Sequence, residues 1–561
     1  MYIVSMVGGV LNLIAMGNQN IIIHGNPQKT YWTSTYKRIT NFGIQNFRLD
    51  FEGLRQMGVS TETVYQFKVK RYAELLMDTY FVIQIPDIYS PIYPAGSTDA
   101  DINDGVPQKW VPYEFKWIKN LGAMMIKSIK FTIGGNLIQQ LNGADIVALA
   151  NRDLTSTQKQ KWNEMVGNTV DLYDPANAFG RVNTYPNSIY KDGLQQEPSI
   201  RGKQLRIPLP VWWGFTSQQA FPLVALQYNV LQIEITLRPI RELYQIKDVL
   251  DPGNEYPVIA PNMTIAQHQF YRFIQQPPNV TLSYSTFGTS WNENAHLSCQ
   301  YCFLSDEESK MFAAHPQKYL VKEYHQTLFK HVSITDKVWL QNSSGLVLNW
   351  MFMFQRSDVD ARNEWSNFTN WPYDYLPYNI LPLDNTMAIS PYTPSRGYGL
   401  NPDNSLSKLF GTGDYRNENQ KNILTQFGIT FDGSVREEVR PANIYLQDQQ
   451  YLTSPGYGSV GLEGLYCYNF CLHTSPFQLQ PSGAINLSKY SKIEFEFTTI
   501  TPALDPNSTF LVICDPNSSL QLGVNKSMYK LYDYTFDLYV IEERYNVLTF
   551  LSGNASMMNS R

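Results

Sequence analysis

Four cysteines form the pattern in this sequence that most resembles a metal site. Cys299 and Cys302 make a C-x2-C pair, and Cys467 and Cys471 make a C-x3-C pair with His473 close behind. Thiolates and an imidazole at such spacings can bind a structural zinc ion. Residues three apart in a strand point to opposite faces, however, which weakens this interpretation for the first pair. We expect all four cysteines to act as small buried apolar side chains, and we predict no metal and no cofactor.

Several common catalytic motifs are missing from the sequence. The seven histidines are scattered, and there is no H-E-x-x-H zinc motif, no G-x-S-x-G nucleophile elbow and no phosphate-binding P-loop. Missing motifs lower the expectation of catalysis without excluding it. We predict that the protein is not an enzyme and has no catalytic residues.

Nine Asn-x-Ser/Thr sequons are the remaining candidates for chemistry, because such asparagines accept glycans in secreted proteins. They are Asn262, Asn279, Asn342, Asn367, Asn486, Asn507, Asn517, Asn525 and Asn554. No signal peptide is evident, since the apolar first 16 residues lack the positively charged start that such peptides carry. We therefore expect most of these sequons to be unmodified.

Composition restricts the class of protein that could position such groups. The 561 residues are 43% hydrophobic and only 17% charged, against about 25% charged in typical domains. That balance excludes a wholly disordered chain. The net charge of −5 lacks the basic excess of proteins that coat nucleic acid, so we expect no direct nucleic-acid partner. The high aromatic, glycine and proline content favours strands joined by long loops.

Apolar and polar residues alternate with period two in several segments, which predicts strands with one buried face. The clearest cover residues 65–69, 129–133, 231–237 and 493–498. Fully apolar runs at 81–83 and 346–348 predict strands that are covered on both faces.

One segment predicts a helix. Ser305 precedes three acidic residues, which suit the positive end of a helix dipole, and Pro316 ends the segment. Ser305 and Glu308 have the spacing of a capping box. We predict a helix of two to three turns over about 306–314, which joins two strand-rich halves.

Two long proline-rich stretches, 86–112 and 371–404, show little periodicity and are predicted to be functional or interaction loops. The uncharged segment 1–24 is predicted to be an apolar arm that docks on its own protein or on a neighbour. Its first 16 residues are shorter than the 18–20 apolar residues or so that a membrane span needs.

Six groups of segments together resemble the major capsid proteins of nucleocytoplasmic large DNA viruses, and they occur in that family's order. They are GNPQKTYW (25–32) with YKRITNF (36–42), GAMMIKSI (122–129) with IGG (133–135), IPLPVWW (207–213) with FPLVALQY (221–228), FLSDEE (303–308) with YLV (319–321), QPSGAINLS (480–488), and YNVLTFLSG (545–553). The sequence departs from the family pattern in its larger loops and in Asn229, where many relatives have histidine.

The resemblance implies an all-β fold of two consecutive eight-stranded jelly rolls, a double jelly roll, with a short connector helix and long loops. The predicted division is an apolar N-terminal arm (1–24), a first jelly roll (25–304), the connector helix (305–317), a second jelly roll (318–552) that carries the long loop 371–404, and a C-terminal tail (553–561).

The resemblance also implies a function. It predicts a structural capsid protein that forms homotrimers of pseudo-hexagonal outline, which tile an icosahedral virion shell after assembly in the host cytoplasm. The expected partners are further copies of the chain, neighbouring capsomers and minor capsid proteins, with an internal membrane near the arm.

Two other functions remain as alternatives, because a fold does not fix a function. Jelly rolls also serve in lectins, so the chain could be a carbohydrate-binding protein. It could also be a receptor-binding spike.

Overall fold

The computed structural model describes most of the chain. The described residues are 8–53, 55–93, 111–181, 184–190, 194–247, 258–278, 284–286, 290–373, 380–382, 397–400, 406–412, 420–455, 463–502, 510–514, 521–526 and 534–558. The chain divides into two compact units, 1–42 and 43–561.

The first unit contains two short helices, α1 (Gly8–Ile14) and α2 (Ile21–His24). Its apolar side chains are largely exposed: Ile22 is 88% and Trp32 is 95% accessible. The separate unit extends to residue 42, beyond the arm predicted for 1–24.

The first half of the second unit is built from fourteen described strands, several of them very short. They are β1 (Phe42–Leu49), β2 (Thr63–Lys68), β3 (Leu75–Gln84), β4 (Ile92–Tyr93), β5 (Val111–Pro112), β6 (Phe115–Trp117), β7 (Ile126–Ile133), β8 (Asn136–Leu141), β9 (Gln204–Pro208), β10 (Phe221–Pro222), β11 (Leu231–Leu237), β12 (Tyr244–Lys247), β13 (Val258–Ile259) and β14 (His296–Leu304).

Two sheets of the first half share one core. One has the order β1-β14-β3-β10, with β9 also paired to β3, and the other has the order β2-β11-β7-β8. The smaller sheet β13-β12-β6 and the pair β4-β5 complete this half. Ile233 of β11 lies opposite Phe67 on one side and Phe131 on the other, and all three side chains are at most 1% exposed. The period-two pattern therefore predicted both the strands and their buried face.

Four helices lie between strands of this half. They are α3 (Leu121–Met124), α4 (Gly143–Asp153), α5 (Ser156–Val166) and α6 (Val170–Tyr173). The two longer ones were not predicted, although each begins with a capping box, formed by Asn142 with Asp145 and by Thr155 with Gln158. These boxes satisfy backbone N–H groups that the first turn of a helix leaves free.

The connecting helix α7 spans Asp306–Ala314, which confirms the predicted helix. The predicted capping box is wrong, because the side chain of Ser305 makes no capping hydrogen bond. The three acidic residues of the first turn remain, so charge at the helix N-terminus replaces the side-chain cap.

The second half contains the remaining strands. They are β15 (Gln317–Val332), β16 (Thr335–Trp339), β17 (Leu346–Arg356), β18 (Ile380–Pro382), β19 (Gly397–Leu400), β20 (Leu406–Thr412), β21 (Leu424–Phe431), β22 (Ser434–Pro441), β23 (Leu465–Asn469), β24 (Ile485–Asn486), β25 (Ile493–Thr499), β26 (Phe510–Cys514), β27 (Gln521–Lys526), β28 (Phe536–Leu551) and β29 (Asn554–Met557). A π-helical turn (Ile444–Asp448) leads into α8 (Gln449–Thr453) between β22 and β23.

Two sheets again dominate. The central six-stranded sheet has the order β15-β28-β17-β23, with β24 paired to β17 and β29 to β28, and the four-stranded sheet has the order β16-β25-β21-β22. A three-stranded sheet (β18-β20-β19) and the pair β26-β27 lie outside them.

The central sheet is buried on both faces. Along β17, Phe352 and Phe354 belong to the core shared with the four-stranded sheet, whereas Met351 and Met353 belong to the core of the first half. Neighbouring residues of a strand point to opposite faces, so the sheet separates the two cores. This explains the unbroken apolar run 350–354 within β17.

The two predicted loops are only partly described. Strands β18 and β19 lie within 371–404, so this stretch is not wholly irregular as predicted, while 374–379, 383–396 and 401–404 lie outside the described residues. In the stretch 86–112, β4 pairs with β5, and 94–110 lie outside the description.

Candidate functional site at the junction of the two halves

An aromatic cluster joins the two halves. Trp212 and Phe221 of the first half meet Tyr319 and Phe550 of the second, with ring centroids 5.2 Å apart for Trp212 and Tyr319 and 5.4 Å apart for Phe221 and Phe550. Trp213 packs on Phe221 at 5.3 Å. Tilted and edge-on ring contacts at these distances stabilise a packed core beyond the burial of area alone. Three groups of the resembling segments therefore meet in space.

The C-terminal hairpin closes this cluster. The N–H groups of Gln227 and Tyr228 both donate to the carbonyl oxygen of Gly553, at 3.0 and 3.2 Å. Gly553 has φ +79°, and a Cβ placed there would lie 2.8 Å from the Cβ of Gln227, so only glycine fits. Asn229, which departs from the family pattern, donates through Nδ2 to Oδ1 of Asn554 at 2.9 Å.

A cluster of four charges, three buried and one partly buried, lies at the junction. Arg152, at the end of α4, pairs with Glu543 of β28 at 2.8 Å and with its neighbour Asp153 at 2.7 Å. Lys322 of β15 reaches the other carboxylate oxygen of Glu543 at 3.2 Å. Two cations therefore face two carboxylates, and a buried cluster of this kind is stable only when every charge has a partner.

Hydrogen bonds from neutral groups complete the charged cluster. Asn349 Nδ2 donates to Glu543 at 2.6 Å, and Thr474 Oγ1 donates to Asp153 at 3.1 Å. Burial opposes the charge of Glu543, but Arg152 and Lys322 outweigh it and hold the pKa of this carboxyl at about 2. Glu543 is therefore ionised at neutral pH.

The first turn of α4 makes a second polar contact with the central sheet. Tyr539 Oη donates to Asp145 at 2.9 Å, and Gln326 Nε2 and the Asn142 N–H donate to the same carboxylate. Burial raises the pKa of Asp145 to about 7, although these donors favour its ionised form. Both ends of α4 are thus fixed to strands of the other half.

A segment of the second half clasps the edge of the first half. Asn363, in the left-handed conformation at φ +56°, donates through Nδ2 to the carbonyl oxygens of Arg241 and Tyr244, at 2.8 and 2.9 Å. Trp365 Nε1 donates to the carbonyl oxygen of Glu242 at 2.9 Å. These donors bind backbone acceptors, so the contact depends on the path of the chain rather than on partner side chains.

The ion pairs behind this clasp are buried. Asp358 accepts hydrogen bonds from Arg356 at 2.7 and 2.8 Å and from Arg362 at 2.9 Å. Burial disfavours the charge of Asp358, yet the two guanidinium groups hold its pKa well below its usual range.

The four cysteines lie in strands and loops as buried free thiols. Burial raises the pKa of Cys299 and of Cys467 to about 12, and it also raises the pKa values of Cys302 and Cys471. Within the described ranges, no three His, Cys, Asp or Glu side chains are grouped to hold a metal ion.

The sequons differ in accessibility. Asn342, Asn486 and Asn554 are exposed and Asn262 is partly buried. Asn367 is 5% exposed, and its Nδ2 donates to the Trp371 carbonyl oxygen at 2.8 Å. Asn279, Asn507 and Asn517 lie outside the described residues, as does the side chain of Asn525.

The resembling segments contain the aromatic residues of the junction, but sequence reasoning did not predict that they meet, and it missed α4 and its charges. The available signal was Asn142 three residues before Asp145, ahead of an apolar helical segment. Nothing in the sequence indicates that Arg152 and Glu543, 391 residues apart, form an ion pair.

No helix of the described chain is long and apolar enough to cross a membrane.

Comparisons with known proteins agree on one family. A family described as "Major capsid protein N-terminus" matches residues 30–303. The major capsid protein of Chrysochromulina ericina virus is 26% identical over 340 residues, which cover 57% of this chain and 53% of that protein. The chain thus spans about half the length of that relative. The major capsid protein of Paramecium bursaria Chlorella virus 1 is 22% identical over 98% of both chains.

The fold comparison agrees. The Faustovirus major capsid protein superposes with a TM-score of 0.60 at 11% identity, over 93% of both chains. The predicted all-β double jelly roll is therefore confirmed as the fold.

Proposed function

We propose, from its likeness to the major capsid proteins of nucleocytoplasmic large DNA viruses, that the chain is the structural subunit of a virion shell. The likeness to capsid proteins over nearly the whole chain supports this proposal. A shell subunit needs a rigid shape and no reacting group, and we propose that the protein has no enzymatic activity.

The junction between the two halves is the structural observation on which the proposal rests. An aromatic cluster, a charged cluster and a backbone clasp fix two jelly rolls to one another within one chain. A homotrimer of such chains presents six similar sandwiches around one axis, which gives a pseudo-hexagonal capsomer. Such capsomers tile an icosahedral shell through contacts with their neighbours.

The arm supports a role in assembly. Large apolar side chains of this segment such as Leu13, Ile22 and Ile23 are each at least 75% exposed. Exposed apolar surface on this scale marks an interaction site. We propose that the arm binds minor capsid proteins or an internal membrane on the inner side of the shell, and that assembly takes place in the host cytoplasm.

The mass of the purified full-length protein in solution tests the trimer. Light scattering should give about three times the 64.5 kDa of one chain, and negative-stain images should show hexagonal particles. A matched sample below pH 2, where Glu543 is protonated and the junction loses this ion pair, should lose this mass.

A monodisperse monomer at neutral pH, without shells on concentration, would contradict the proposal. A glycan array would then examine the carbohydrate-binding alternative directly.

A further inference from the structure

An apolar pocket of 160 Å³ lies between the two halves, beside the charged cluster of the junction. Helices α4 and α5 form one wall, through Ile146, Leu149 and Trp162, each at most 5% exposed. The 208–215 turn forms another wall, and Phe477 of the second half completes the lining.

Two aromatic rings from different halves meet at this pocket. Phe215 of the first half and Phe477 of the second are in edge-on contact, with centroids 5.7 Å apart. Phe477 is 39% exposed, so this side of the pocket faces solvent. A molecule bound here contacts both halves at once.

One carboxylate in the lining forms no ion pair with the described residues. Asp78 is half-buried, and within the described part of the chain it has no hydrogen bond and no ion pair. Burial raises the pKa of Asp78, because the carboxyl loses part of its solvent. The other carboxylate of the lining, Asp153, is paired with Arg152.

We propose that this pocket binds a small amine with a single ring, with the ring in the apolar chamber and the ammonium group against Asp78. The size fits, because an apolar cavity of about 150 Å³ binds benzene. The charge fits as well, because a partly desolvated carboxylate is stabilised by a charge-assisted hydrogen bond from an ammonium group. The site is independent of the shell function and of the trimer.

Two probes of equal shape test the proposal on the full-length protein by calorimetry. Benzylamine should bind at least about fivefold more tightly than benzyl alcohol, which corresponds to about 1 kcal/mol for a partly exposed ion pair. D78N should abolish this preference and leave the affinity for benzyl alcohol unchanged.

A substitution at Gly214 tests the location of the site. A Cβ at Gly214 would have its nearest neighbour, Val211 Cγ2, at 3.6 Å, so a side chain is accommodated there. Gly214 lines the pocket, and Gly214→Leu should fill it and abolish binding of both probes. The matched variant Gly214→Ala should still bind them.

Three results would overturn the proposal. The first is equal affinity for the two probes in the parent protein, and the second is no binding of either at millimolar concentration. The third is binding to dissociated chains that disappears in assembled particles, which would assign the pocket to a segment of a neighbouring chain.

Discussion

Lys159 lies on α5 at only 6% exposure, with its ammonium group 3.8 Å from the centroid of the Trp162 ring. Its Nζ has no hydrogen-bond partner in the described part of the chain. Burial lowers the pKa of this lysine to about 7. The ring compensates only partly for the lost hydration of the cation.

We predict that Lys159→Met stabilises the protein by about 1–3 kcal/mol at neutral pH, because it removes an unsatisfied buried polar group. The folded-state pKa is below the unfolded one, so the unfolded chain binds the extra proton between pH 7 and about 10.5. Stability of the parent should therefore rise with pH across this window, and that rise should be absent in the variant. Urea unfolding of the parent and of Lys159→Met at several pH values measures the stability difference and its pH dependence. Parallel pH profiles of the two proteins would contradict the lowered pKa of Lys159.

Asn367 gives a second prediction at the scale of single residues. Its buried Nδ2 donates to the Trp371 carbonyl oxygen, and its Oδ1 accepts hydrogen bonds from the N–H and Oγ1 of Thr369 at 3.0 and 2.7 Å. A glycan would displace these contacts. Peptide mass spectrometry of the expressed protein should find Asn367 unmodified even where the exposed sequons Asn342 and Asn486 carry sugar. Modified Asn367 in folded protein would contradict its buried placement.

Helix α4 acts at the scale of elements, because both of its ends bind the central sheet, through Tyr539 and Glu543 of β28. We predict that Glu543→Gln destabilises the protein by about 3–5 kcal/mol, since it leaves Arg152 and Lys322 without their shared carboxylate. The matched control is Glu197→Gln, whose ion pair with Arg201 has the same order of length, 2.9 Å, but is about 79% exposed. The control should change the free energy of unfolding by at most about 0.5 kcal/mol.

The buried ion pairs of Glu543 also predict that acid destabilises the protein. The folded-state pKa of Glu543 is about 2, below the ordinary value of 4.5, so its contribution is present above pH 4.5 and is lost as the pH falls towards 2. The Glu543→Gln variant should lack that part of the acid loss. Equal losses for Glu543→Gln and Glu197→Gln would mean that the junction charges do not stabilise the fold.

The β28–β29 turn and the β21–β22 turn each contain a glycine, and the two glycines form a matched pair. Gly553 and Gly433 have φ +79° and +81°, but only Gly553 has neighbours within 4 Å of an added Cβ. We predict that Gly433→Ala costs about 1 kcal/mol from backbone strain alone. Gly553→Ala should cost clearly more and lower the melting temperature further, because it also pushes Gln227 away from the hairpin. Equal shifts in thermal unfolding would remove the close approach as a cause.

The same elements show what sequence reasoning can reach. The alternation of apolar residues located β2, β7, β11 and β25, because one buried face imposes period two. Helices α4 and α5 were not predicted. The sequence of α5 is largely polar, and its cap and the buried Trp162 hold the helix in place. The charged cluster was not predicted, because Arg152 and Glu543 are 391 residues apart in the sequence and meet only in the folded chain.

At the scale of the whole molecule, the arm and the body have separate tasks. A chain that begins at Gly25 should still form trimers, because the proposed trimer rests on the jelly rolls, but it should form shells poorly. Light scattering and electron microscopy of the truncated protein measure the two steps separately. Shell formation at the level of the full chain would remove the arm from assembly.

The burial of the central sheet on both faces has a consequence for inheritance. A domain whose whole surface is exposed to solvent can be exchanged between related proteins, because its surface does not have to fit a neighbouring domain. Here Met351 and Met353 must fit the first half while Phe352 and Phe354 fit the second. A recombination event that joins halves of two diverged lineages therefore mismatches a buried surface, so the two halves are expected to be transmitted together and to diverge at matched rates.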